Sequence, residues 1–83
     1  MALIKTAVEQ KIKDHGLTVK EVEAVLSHPE QVVPGDKGRL IYQSRDGRHL
    51  IRVVVEGDRT PLEVVTAYRT RDVQKYWRGD DAD

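Results

Sequence analysis

The chain has no cysteine and no phenylalanine. The missing thiols exclude a disulfide framework and the thiolate sites of structural zinc and iron–sulfur clusters. One tryptophan and three tyrosines are the only aromatics, so the interior has to be built from Val, Leu and Ile. Long apolar runs are missing too. Nothing approaches the ~20 residues that span a bilayer, and the opening MALIKTAVEQKIK lacks the roughly 7 to 15 uninterrupted apolar residues of a signal peptide. The expectation is a soluble, unprocessed cytoplasmic protein with no membrane partner. Its 83 residues allow one domain with one small core, which leaves no space for a large cofactor, and none is expected.

Net charge is also absent, but only as a sum. Residues 1–35 carry four Lys against five acids, residues 36–78 carry ten Lys or Arg against six acids, and residues 79–83 carry three Asp. The middle is therefore basic, and a basic patch can engage phosphate even on a neutral chain. Residues 79–83 read as a disordered acidic tail, leaving residues 1–78 as the domain.

What the chain does have is concentrated in residues 39–69, which read as three short strands in a meander. Asp46-Gly47 separates two alternating apolar runs and suits the two positive-φ positions of a type I′ turn. With those two residues central, Arg45 pairs with Arg48, Ser44 with His49, Tyr42 with Ile51, Ile41 with Arg52 and Leu40 with Val53. Leu40, Tyr42, Ile51, Val53 and Val55 then face the core. Arg39, Ile41, Gln43, Arg45, Arg48, Leu50, Arg52 and Val54 share the other face, which thus carries four guanidinium groups. The third strand, residues 62–69, is placed with Arg69 on that arginine-rich face; a one-residue bulge in the connection from Glu56 to Pro61 reverses the choice.

Ahead of the meander, residues 2–14 have the apolar spacing of an amphipathic helix (Leu3, Ile4, Ala7, Val8, Ile12), and His15-Gly16 ends it with Gly at the left-handed position. Thr18 and Glu21 form a capping box flanked by Leu17 and Val22, and open a second helix that Pro29 stops near Ser27. Residues 29–38 are a Pro- and Gly-rich connection with room for a short edge segment at Val32-Val33. Thr70 is a plausible N-cap for a last short helix through Tyr76 and Trp77. The architecture expected is α+β: two N-terminal helices packed on one face of a three-stranded antiparallel meander, with a short C-terminal helix.

Three stretches in this order, DHGLTVKEVEAVLSHPE, RLIYQSRDGRHLIRVVVEGD and VVTAYRTRDVQKYW, resemble the BrnT-like branch of the RelE/ParE superfamily of small toxins. The resemblance covers most of the chain, from about Lys11 to Trp77. It implies a RelE-like fold and a metal-independent endoribonuclease, the toxic half of a type II toxin–antitoxin pair. RNA, a cognate antitoxin protein and the ribosome are the partners it implies. The pattern matches the His-Gly of the first helix at His15-Gly16, the Arg opening the first long strand at Arg39, the Arg of the third strand at Arg69, and the aromatic of the last helix at Tyr76.

Metal-free RNA cleavage uses the 2′-OH as nucleophile and needs the phosphorane dianion stabilised, a task suited to the planar, permanently charged Arg fork. Arg39, Arg52 and Arg69 converge in the register above. The catalytic set expected is Arg69, Arg52, His15 and Tyr76, with Arg39, Arg45, Arg48 and Lys13 contacting RNA. The same arginines serve equally well to solvate an open sheet face, which makes a non-catalytic docking module of the same fold the competing expectation. His15 near neutrality can be acid or base, or simply a helix C-cap. His49 falls on the core-directed face, His28 offers nothing specific, and the three His share no metal-ligand spacing, so no metal site is expected. Tyr68 and Trp77 can stack bases, although Trp77 is read first as docking the last helix.

Overall fold

The computed structural model describes residues 2–57 and 59–78, so the acidic tail expected at residues 79–83 lies outside the described residues. Two helices, α1 (Thr6–Asp14) and α2 (Val19–Ser27), lead into an antiparallel sheet of β1 (Gln31–Pro34), β2 (Arg39–Asp46), β3 (His49–Glu56) and β4 (Glu63–Thr70), ending in α3 (Val73–Tyr76). Strand order is the chain order, β1-β2-β3-β4. The class is the α+β arrangement expected, with four strands where three were read. The extra strand is the Val32-Val33 segment, which pairs along β2 from Gln31↔Gln43 to Pro34↔Leu40. Among the described residues no helix is long and apolar enough to cross a membrane.

The α1–α2 corner follows the local chemistry. Gly16 has φ +80 directly after the C-cap His15, the left-handed exit that Gly makes without a Cβ clash. The Glu21 amide donates to Thr18 Oγ1 at 3.1 Å, and the Thr18 amide donates to Glu21 Oε1 at 2.9 Å, so the capping box is complete. Leu17 and Val22, on either side of it, are both in the core. His28 leaves helical backbone (φ −138, ψ 64) one residue before Pro29, as the proline ring demands.

The start of α1 differs from the helical spacing. Leu3 is extended and bridges Glu63 in parallel: its amide donates to Leu62 O at 2.7 Å, and the Val64 amide donates to Leu3 O at 3.0 Å. β4 is a sheet edge, and its outward amide and carbonyl outcompete a first helical turn for Leu3. Glu63 sits in the same place, opposite Glu56 across the β3–β4 pair. Like charges there are unfavourable, and each carboxylate has its own cation. Arg39 Nε lies 3.4 Å from Glu56, while Lys5 Nζ and Arg59 Nη1 lie 3.3 and 2.7 Å from Glu63. The Lys5 hydrogen bond, chiefly, holds the Glu63 carboxyl below its ordinary value of 4.5. A carboxyl lowered on folding adds stability above its unfolded pKa and loses it as pH falls through the folded one. Side-chain NMR titration should therefore find the Glu63 midpoint below 4.5, with exchange of the Leu3 and Val64 amides quickening as it protonates. A midpoint at or above the ordinary value contradicts this role for Lys5.

The hairpin pairs Asp46 with His49, so the two loop residues are Gly47 and Arg48. Gly47 has φ +62, and Arg48 is not among the positive-φ residues. That is the type II′ pattern, with Gly at the first central position, and it replaces the type I′ turn on Asp46-Gly47. Every β2–β3 partner moves by two residues: Tyr42 opposes Val53, and Gln43 opposes Arg52. A shift of two keeps every side chain on its own face, which is why the face assignment survives the wrong register.

β4 does not keep its assignment. A bulge opposite Val54/Val55 leaves Val65 unpaired, so that Val55 meets Val64, Val54 meets Thr66, and Ile51 meets Arg69. Val64 and Ala67 thereby both reach the core, and Arg69 is carried to the helix-covered face. Its expected place beside Arg39 and Arg52 is corrected for that reason. The core lies between α1, α2 and that face, formed by Ile12, Leu17, Val22, Val25, Ile51, Val53, Val55, Val64 and Ala67.

Candidate nucleic-acid interface

The opposite sheet face is not bare. Leu50 and Gln43 are completely buried and Arg52 is 7% exposed, because the polypeptide after β4 folds back over them. Gln43 opposes Gln31 on one side and Arg52 on the other, and the three form a chain of hydrogen bonds. Arg52 Nε donates to Gln43 Oε1 at 2.9 Å, and Gln43 Nε2 donates to Gln31 Oε1 at 2.8 Å and to the Tyr76 carbonyl at 3.1 Å. Gln31 in turn accepts from the Arg78 amide at 3.0 Å and donates to the Arg78 carbonyl. Arg52 Nη1 donates to the Tyr68 hydroxyl, and its guanidinium lies over the Tyr76 ring at 3.9 Å. These contacts satisfy the buried polar groups that would otherwise oppose folding.

Towards the hairpin the surface is open. Arg45 is exposed, and its guanidinium stacks over the Trp77 ring at 4.2 Å. Arg48 is exposed in the turn, with Arg71 and Lys75 exposed on the segment beside it. No guanidinium or ammonium group of Arg45, Arg48, Arg52, Arg71 or Lys75 lies within 4.0 Å of a carboxylate among the described residues, although the Glu30 carboxylate accepts from the Arg45 amide. Cations flanked by aromatic rings and not neutralised by acids form a surface suited to phosphate and to stacked bases.

The remaining expected site residues are elsewhere and engaged. Arg69 Nη2 bridges Glu21 Oε2 at 3.1 Å and Asp46 Oδ2 at 3.2 Å, fastening α2 to the hairpin. Its Nε is buried without a hydrogen-bond partner among the described residues. His15 Nδ1 is 2.8 Å from the Ala67 carbonyl. A carbonyl only accepts, so Nδ1 carries a proton and the ring ties the helix corner to β4. Lys13 is exposed on α1, the helix that packs on the other side of the sheet, and Arg39 answers Glu56. The catalytic set proposed from the sequence is thus divided: Arg52 and Tyr76 meet, while Arg69 and His15 stand behind the sheet. No three His, Asp or Glu side chains converge as a metal site among the described residues.

No protein-family model, curated protein or solved structure matches the chain. The chemistry of the face is therefore read from its own residues. Sequence reasoning passed over Gln31, Gln43, Arg71 and Lys75. The one signal for the glutamine pair is Gln43 itself, a neutral polar residue in the most β-prone run. Its partner lies in the strand that was read as a loop.

Proposed function

We propose that this protein is an RNA-binding module of RelE-like architecture that docks a single strand on the open surface around Arg45, at the hairpin end of the sheet. The observation that carries the reading is the Arg45–Trp77 stack at 4.2 Å, an exposed cation with no carboxylate partner among the described residues, on the basic portion of the chain. Arg45 supplies the phosphate contact, and the aromatic segment beside it supplies a platform for bases. A docking role is favoured over cleavage because His15 and Arg69, the groups on which acid–base and phosphorane chemistry depended, face the other way and are already bonded.

Binding of this kind weakens with salt, by a logarithmic slope of about −0.7 per phosphate neutralised on a single strand. Fluorescence anisotropy with a labelled oligoribonucleotide should show that dependence, and Arg45→Ala should reduce the slope by about one contact's worth. Affinity indifferent to salt contradicts the proposal.

One observation favours a second reading, the endoribonuclease toxin. Arg52 holds a fixed cation between the Tyr68 hydroxyl and the Tyr76 ring, and Arg52 and Tyr76 are two of the residues named in the catalytic reading. Phosphate reaches that guanidinium only once Tyr76 gives way. RNA fragments ending in 2′,3′-cyclic phosphate, lost on Tyr68→Phe, would establish cleavage and replace the docking reading; RNA recovered intact from a folded, RNA-bound protein excludes it. In the toxin reading an antitoxin that silences the chain must cover this same face.

A further inference from the structure

Beyond the Arg45–Trp77 stack, the hairpin end of the sheet holds a second cationic feature. The turn residue Arg48 and the segment from Arg71 to Lys75 border a shallow, open cleft, lined by Arg48, Arg71, Asp72, Val73, Gln74 and Lys75. Three cationic side chains and one carboxylate leave the lining with a formal charge of +2. The Asp72 side chain does not cap α3, and it pairs with no cation among the described residues. Arg71 is oriented through its Nε, 3.5 Å from His49 Nε2, which leaves both Nη nitrogens without a protein partner among the described residues. In the chain, Arg48 follows Arg45 by three positions and Lys75 precedes Trp77 by two.

We infer that this cleft binds a phosphate monoester, the terminal phosphate of an oligoribonucleotide whose chain continues over the Arg45–Trp77 stack. The strand in this inference rests on the proposed RNA binding; the anion site does not. An internal phosphodiester carries one negative charge, whereas a terminal monoester carries roughly −1.5 to −2 at neutral pH and presents three acceptor oxygens. The doubly positive lining matches the monoester, and two guanidinium forks suit its oxygens.

The test compares oligoribonucleotides that differ only in a terminal phosphate or hydroxyl, at the 5′ end and separately at the 3′ end, by anisotropy against the native chain, Arg48→Gln and Arg71→Gln. Inorganic phosphate is titrated in parallel while the backbone amides of Gly47, Arg48 and Arg71 are followed by NMR. The expected result is that one terminal phosphate strengthens binding about tenfold, the equivalent of one retained charge-assisted hydrogen bond, and that either variant removes the difference. The hydroxyl-ended strand should lose less affinity in either variant than the phosphate-ended strand does. Equal affinity for phosphate and hydroxyl ends overturns the terminal-phosphate inference and leaves RNA docking standing. If inorganic phosphate moves the three amides while no oligonucleotide binds, the cleft is an anion site and the RNA reading falls. If neither phosphate nor oligonucleotide binds, both fall.

Discussion

Arg52→Ala should lower the stability of the fold by on the order of 3 kcal/mol, and the thermal midpoint by roughly 15 °C. Arg52 is a buried cation without a carboxylate partner among the described residues, so removing it relieves a desolvation cost. Two losses outweigh that relief. Gln43 and Tyr68 each lose a donor in a site closed to water, and the guanidinium plane that supports the Tyr76 ring at 3.9 Å is replaced by a void. Gln43 also bonds the Tyr76 carbonyl and Arg45 stacks on Trp77, so any loosening of α3 should be partial, and Trp77, the chain's single tryptophan, should report it as a red-shifted emission. Arg52→Met, which refills the volume and removes the charge, should lose about half as much. A midpoint unchanged in Arg52→Ala, with native tryptophan emission, would mean that α3 is held by other contacts.

Arg69→Ala should cost about 2 kcal/mol, more than an isolated surface ion pair, because one guanidinium joins two carboxylates from different elements. Without it, Glu21 and Asp46 are left close together with no cation between them, and α2 loses its tie to the hairpin. The loss should shrink at high salt, which screens the repulsion between these partly exposed groups. Neutralising both acids in the Arg69→Ala background, as Glu21→Gln with Asp46→Asn, should recover part of the stability. A variant as stable as the native chain would show that the bridge contributes nothing and would free Arg69 for another role. Calorimetry on the three proteins decides the matter.

The two arginines illustrate how far the sequence could be read. Local chemistry was legible at the Thr18–Glu21 box, the Gly16 exit and the Pro29 stop, which need only neighbours within a few positions, but not at Thr70, expected to cap the last helix, which ends β4 while Asp72 is the N-cap of α3. The hairpin was legible in its faces and not in its register, since Asp46-Gly47-Arg48 admits either turn type and a two-residue shift leaves alternation intact. Arg69 was misplaced because the bulge at Val65 carries no residue signature. Val64, Val65 and Thr66 are all good strand formers, and which of them is skipped is decided by packing Val64 and Ala67 together into the core. β1 was seen only as a possible edge segment because four residues ending in proline are too few for periodicity to separate from a loop. The covering of Arg52 by α3 depends on Gln31 and Gln43 meeting across that strand, and so could not be read either.

The claim at the centre of this account is that the arginines divide by face, Arg45 engaging RNA and Arg69 holding the fold. The most direct test is the affinity of one single-stranded oligoribonucleotide for the native chain, Arg45→Ala and Arg69→Ala, measured at low salt and at a temperature where all three are folded. The account predicts that Arg45→Ala weakens binding about tenfold, while Arg69→Ala binds as the native chain does. The reverse pattern, with binding lost in a folded Arg69→Ala protein and retained in Arg45→Ala, would contradict it and move the site to the helix-covered face.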